Sequence, residues 1–118
     1  MAGFRLFTDN HTRQPIVKAL RDRGWDTVRA IDVFPEKTPD AVLFAHAAEQ
    51  GRAFATCDEG VHVIAMQWLQ AGRAFRMVFW KHAHHARMSD GDLVRAFEEI
   101  AAKPNAFAFP IEHIKPKR

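Results

Sequence analysis

Phe54-Ala55-Thr56-Cys57-Asp58-Glu59-Gly60 is the stretch that decides how this chain is read. Phe54 to Thr56 has the character of a short buried strand, Asp58 falls in a turn, and Gly60 opens the next helix. A strand that yields at once to a helix is the unit of an open parallel sheet, and such sheets collect chemistry outside the carboxyl ends of their strands. An acid there gains meaning if other acids reach the same edge. Asp9, at the end of the first strand, and Asp40, at the start of a helix, are the two candidates.

Upstream, the third strand spans Arg52 to Thr56 and follows a helix capped by Thr38, with Pro39 at its first position and Asp40 in its first turn. Val42, Leu43 and Ala47, with His46 at the margin, form the inward face, and Gly51 ends the helix. Asp32 to Pro39 is a loop, since Pro35 and Pro39 resist regular structure. Trp25 to Ile31 alternates as a second strand. His11 to Gly24 reads as a helix with Thr12 as cap, Pro15 in the first turn and Ile16, Val17 and Leu20 inward. Gly3 to Thr8 is the first strand, ended by Asp9-Asn10.

Downstream, Val61 to Ala71 is amphipathic, with Val61, Ile64, Ala65, Trp68 and Leu69 inward and Gly72 closing it. Phe75 to Trp80 is a fourth strand. Lys81 to Met88 reads as a basic, histidine-rich loop. Ser89 caps a last helix with acids in its first turn and Leu93, Val94, Phe97 and Ile100 as its core stripe. Pro104-Asn105 breaks it. Ala106 to Ile114 is expected as an edge strand that tolerates Pro110, followed by a Lys-Pro-Lys-Arg tail. The alternation implies one three-layer α/β/α domain over residues 1–118 with a mostly parallel central sheet.

A chain of 118 residues buries a core without staples, and its 47% hydrophobic content argues against disorder. Cys57 is the only cysteine, which excludes an intrachain disulfide or a cysteine-rich zinc site and favours a reducing compartment. No apolar run nears the roughly 20 residues of a spanning helix, and Met-Ala-Gly-Phe-Arg leads into a strand without a signal-peptide core. A cytoplasmic protein with no membrane partner is expected. The net charge of +3 is compatible with a polyanionic partner without identifying one.

Carboxylates that meet repel one another and call for a proton or a metal, and Mg²⁺ and Mn²⁺ prefer such hard oxygen donors. Each acid also has a local role available, as strand end, first-turn helix acid and turn residue. Asp40 poses a further question: the start of a helix leading into strand three is expected at the opposite edge, unless the 32–39 connection lifts it to the rim of Asp9 and Asp58. The run Lys81-His82-Ala83-His84-His85 invites a zinc reading, weighed against a solvated loop. Phe75, Phe79, Trp80, Phe107 and Phe109 have strand spacing and are expected mostly in the core rather than as base-stacking platforms.

Phe4-Arg-Leu-Phe-Thr-Asp9-Asn10 with Ala19-Leu-Arg-Asp-Arg-Gly-Trp-Asp-Thr-Val28, then Pro39-Asp-Ala-Val-Leu-Phe-Ala-His-Ala-Ala-Glu-Gln-Gly-Arg52 and Phe54-Ala-Thr-Cys-Asp58, resembles the small PIN-like family of bacterial ribonucleases related to VapC-type toxins. The likeness covers about the first two-thirds of the chain. It implies that Asp9, Asp40 and Asp58 are catalytic and bind Mg²⁺ or Mn²⁺, with His11, Arg13 or Lys81 touching substrate phosphate. It further implies an RNA substrate, and leaves open an antitoxin protein as partner and a homodimer. Asn10 stands where the family usually has Glu, and Gly60-Val61 where it often has Asp-Phe, leaving Glu59 as a substitute acid. The alternatives are a catalytically degenerate PIN-like domain that binds RNA or a protein, and a phosphoacceptor receiver-like domain with Lys81 as phosphate partner.

Overall fold

The structure is a computed structural model that describes residues 2–117; Met1 and Arg118, which the sequence reading placed before the first strand and in the tail, lie outside the described residues. The elements run β1 (Ala2–Thr8), α1 (Gln14–Asp22), β2 (Trp25–Arg29), α2 (Ala30–Val33), α3 (Asp40–Glu49), β3 (Ala53–Thr56), α4 (Glu59–Gln70), β4 (Arg76–Trp80), α5 (His82–His85), α6 (Asp90–Ala102) and β5 (Ile111–Ile114). The sheet has five parallel strands in the order β2-β1-β3-β4-β5.

Burial follows that order. β3 is buried at every residue and β4 at all but its first, whereas edge strands β2 and β5 are only partly buried, as expected when helices cover both faces of the central strands. On one face Leu6, Ala53, Ala55, Val78 and Trp80 pack beneath α1 and α6 through Ile16, Leu20, Leu93 and Phe97. On the other Phe7, Phe54, Met77 and Phe79 pack beneath α3 and α4 through Leu43, Phe44, Val61 and Ala65. These two cores make the α/β/α layering. No helix among the described residues is long and apolar enough to cross a membrane.

Several local readings are corrected. Thr12 does not cap α1: the N-cap is Arg13, with no side-chain cap, and Thr12 is drawn off to Asp9. Thr38 does not cap α3 either, because its hydroxyl donates to the Pro35 carbonyl at 2.6 Å and Pro39 occupies the cap. Ile31 leaves the strand for the short α2 and is 40% exposed, and Val42 on α3 is 46% exposed rather than inward. The expected loop at 81–88 contains the helical turn α5. Only Ile111–Ile114 of the expected 106–114 strand pairs with β4; the segment before it folds into turns, with the Phe107 N–H donating to Glu112 and the Pro110 carbonyl accepting from Met77.

The direction of α3 answers the question about Asp40. Gly51 closes α3 at φ +68, its N–H donating to the Ala48 carbonyl while Arg52 donates to that of Ala47. Arg52 then reaches the Leu6 and Asp26 carbonyls and pairs with Asp26 at 2.8 Å. Leu6 and Asp26 precede the carboxyl ends of β1 and β2, so the C-terminus of α3 lies toward the amino edge of the sheet. A crossover helix runs antiparallel to the strands it joins. Asp40, at the other end of α3, therefore begins at the carboxyl edge without any special route through residues 32–39.

Candidate functional site

The chain winds from β1 outward to β2, returns past β1, and places β3 on its other side. The strand order reverses between β1 and β3, and that crevice is where open α/β sheets bind ligands. Asp9 and Asp58 leave those two strands.

Asp9 is only 5% exposed. Its Oδ1 accepts from the His11 N–H at 3.1 Å and the Thr12 hydroxyl at 3.2 Å, and its Oδ2 accepts from the Thr56 hydroxyl. Thr56 in turn accepts from the Asp58 N–H at 3.0 Å. One hydroxyl thus ties the ends of β1 and β3 together. Burial pushes the Asp9 carboxyl above its ordinary value, while Thr56, His11 and Thr12 pull it back down. Asp58 is the N-cap of α4, its Oδ1 accepting from the Gly60 N–H at 2.7 Å. This explains Gly60 locally, since a Cβ there would sit 3.1 Å from that carboxylate oxygen.

Asp40 carries no side-chain hydrogen bond or ion pair among the described residues. Its carboxyl lies above the ordinary value, first through burial and second through the negative charge of Asp58, with His11 opposing. His11 likewise stabilises the charge on Asp9. Asp40 and Asp58 are therefore electrostatic neighbours, and His11 acts on both Asp40 and Asp9. The sign of the shift gives a prediction. Asp40 contributes stability fully below its unfolded value of 3.8, and loses it as pH rises through the higher folded value. Asp40→Asn is thus expected to melt a few degrees above the wild type at pH 7 in EDTA, with the gap closing toward pH 4. A variant that melts lower at pH 7 would show that Asp40 is held by a partner rather than repelled.

A cleft of about 540 Å³ opens at this rim, lined by His11, Cys57, Asp58, Glu59, His82 and His85. The far wall comes from α5, whose His82 and His85 lie on one face with rings nearly parallel and 6.3 Å apart. Arg13 fixes that wall: Nε contacts Asp90 at 2.5 Å, Nη1 lies 3.0 Å from His85 Nε2, and Nη2 donates to the Met88 carbonyl at 3.0 Å. Trp80 Nε1 donates to His85 Nδ1 at 3.0 Å. Burial, then the charges of Arg13 and His82, hold His85 below its ordinary value and so neutral near pH 7. Arg13, expected at substrate phosphate, thus props α5 on α6, whereas His11 and Lys81 are exposed at the rim. Cys57 faces the cleft with its Sγ 4.0 Å from His82 Nδ1; burial and the nearby Asp9 push the thiol up, away from thiolate chemistry.

Among the described residues no three His, Cys, Asp or Glu side chains converge on one metal position. This applies to the His82–His85 run as well as to the acids. The acids near the rim are nevertheless oxygen donors, the type a hard divalent cation prefers. Of the stacking candidates, Phe75, Phe79 and Trp80 are core, while Phe109 is 52% exposed. Sequence reading passed over Thr56 as a site residue. The signal available was its place two residues before Asp58, at the end of a buried strand. Compared with protein-family models, curated proteins and solved structures, the chain matches none, and the likeness to PIN-like ribonucleases rests on the quoted motifs alone.

Proposed function

We propose that the chain is a metal-dependent ribonuclease in which Asp9, Asp40 and Asp58 would hold Mg²⁺ or Mn²⁺. The observation that carries this reading is that Asp40 begins α3 at the carboxyl edge, where Asp9 and Asp58 leave β1 and β3, with no side-chain hydrogen bond or ion pair among the described residues. A bound cation would supply Lewis acidity toward a phosphodiester and lower the pKa of its own water. The chain's residues do the rest. Thr56 and Thr12 hold Asp9 in one orientation, and the Gly60 N–H does the same for Asp58. His11 and Lys81 are the exposed groups suited to substrate phosphate, while Arg13 keeps the α5 wall in place. An antitoxin partner and a homodimer follow from the motif likeness only.

Calorimetric titration tests the reading without any turnover. Millimolar or tighter Mg²⁺ or Mn²⁺ binding is expected, through carboxylate oxygen donors and retained water. The same titration of Asp58→Asn should be flat. A flat titration of the wild type would reject the metal site and favour a catalytically degenerate domain, in which Asp9 joins strand ends and Asp58 caps a helix.

A further inference from the structure

We propose that the carboxyl edge of β4 and β5, together with His62 of α4, is a ledge for the phosphate backbone of single-stranded RNA, made by Lys81, Lys115, His62 and His113. This deepens the ribonuclease reading and rests on it for the choice of RNA. Phe79 pairs in register with His113 and Trp80 with Ile114, so Lys81 and Lys115 are the next residues of two adjacent parallel strands. Lys81 keeps extended backbone angles, φ −66° and ψ 139°. By the two-residue alternation of a strand, it lies on the same face as Phe79, as Lys115 does with His113.

That face is the one α4 covers. The His62 ring lies 4.7 Å from that of Phe79 and 6.3 Å from that of His113, and His113 is 6.2 Å from Phe79. Two imidazoles thus gather on one face of one edge around a buried aromatic ring, with Lys81 and Lys115 near enough to act on His113. Partial burial lowers the proton affinity of His113, and the positive charges of His62, Lys115 and Lys81 lower it further, with Glu112 opposing. Glu112 is itself engaged, by Lys103 Nζ at 2.7 Å and the Phe107 N–H at 2.8 Å. Lys81 and Lys115 therefore carry the positive charge of the ledge.

Its position relative to the acids gives it a use. His62 stands one helical turn beyond Asp58, its N–H donating to the Asp58 carbonyl at 3.2 Å. Lys81 immediately precedes His82 in the wall of the acidic cleft. The rim thus passes from acids to cations. Cations spaced along an edge suit a string of phosphates better than one compact anion, and the exposed His113 imidazole offers bases a stacking surface, as single strands require.

The test is fluorescence anisotropy of the full chain with a labelled single-stranded RNA oligonucleotide in EDTA, so that no cleavage is needed. Lys81→Ala combined with Lys115→Ala is expected to weaken binding roughly tenfold and to lower the salt slope of log K by about 1.4, the value for two lost phosphate contacts on a single strand. His62→Ala with His113→Ala should weaken it several-fold, and circular dichroism should show both double variants folded. Wild-type affinity and slope in the lysine variant would overturn the ledge. Equal binding of single-stranded DNA of the same sequence would overturn the assignment to RNA, and so would absence of binding by the wild type. RNA binding is read here in EDTA and metal binding by calorimetry without RNA, so failure of the ribonuclease reading and failure of the ledge are separate results.

Discussion

Asp58→Asn is expected to lower Mg²⁺-dependent RNA cleavage by roughly a hundred- to a thousandfold, the range for loss of one preorganised electrostatic group, with almost no change in stability. The second half of that statement makes the variant informative. Asp58 caps α4 through Gly60, and asparagine caps as well as aspartate does. The exchange removes the charge and keeps the hydrogen bond. Asp58→Ala should lose cleavage to the same extent and also about 1 kcal/mol of stability for the missing cap. Cleavage by Asp58→Asn at the wild-type rate, measured on a protein with unchanged melting, would leave Asp58 as a helix cap and nothing more.

Thr56→Val should destabilise the domain by about 3 kcal/mol, the cost of leaving a buried charged group without its hydrogen bond. The hydroxyl donates to Asp9 Oδ2 and accepts from the Asp58 N–H, so valine of similar shape strands both an acceptor and a donor. The loss should depend on pH. Burial already raises the Asp9 carboxyl, and Thr56 is the first influence pulling it back down. Without Thr56 the folded value climbs further. Stability from a carboxyl raised on folding is complete below the unfolded value, 3.8 for Asp9, and is lost as pH rises through the folded one. The deficit against wild type is therefore largest at neutral pH and shrinks toward pH 4. Urea denaturation at pH 4, 5.5 and 7 measures it, with Thr56→Ser as the variant that should restore most of the contact. A deficit independent of pH would mean that Thr56 acts through packing alone.

The accuracy of the sequence reading varied with the range of the interaction. Ser89 was legible as a cap because its partner is Asp92, three residues away, and the reciprocal pair forms at 2.9 and 3.0 Å. The buried stripe of α6 was equally legible, since Leu93, Val94, Phe97 and Ile100 follow the helical period. Thr12 and Thr38 looked like caps by the same logic but found acceptors outside their helices, Asp9 and the Pro35 carbonyl. α5 is not legible as a helix because four residues hold no period. What fixes that turn is Arg13, 72 residues before His85, together with Trp80. The fold class needed only alternation. The site needed partners.

By itself, then, the sequence determined the alternation of strand and helix, the apolar faces that become the two cores, and the presence of acids beside the ends of β1 and β3. These depend on periodicity and on contacts within one turn or one strand, which a linear pattern carries in full. Tertiary structure alone decided that Asp40 shares the rim of Asp9 and Asp58, that Thr56 joins two strand ends, and that Arg13 braces a wall. Those outcomes follow from strand order and helix direction. A buried polar group takes whichever donor the folded chain brings beside it, however distant in sequence.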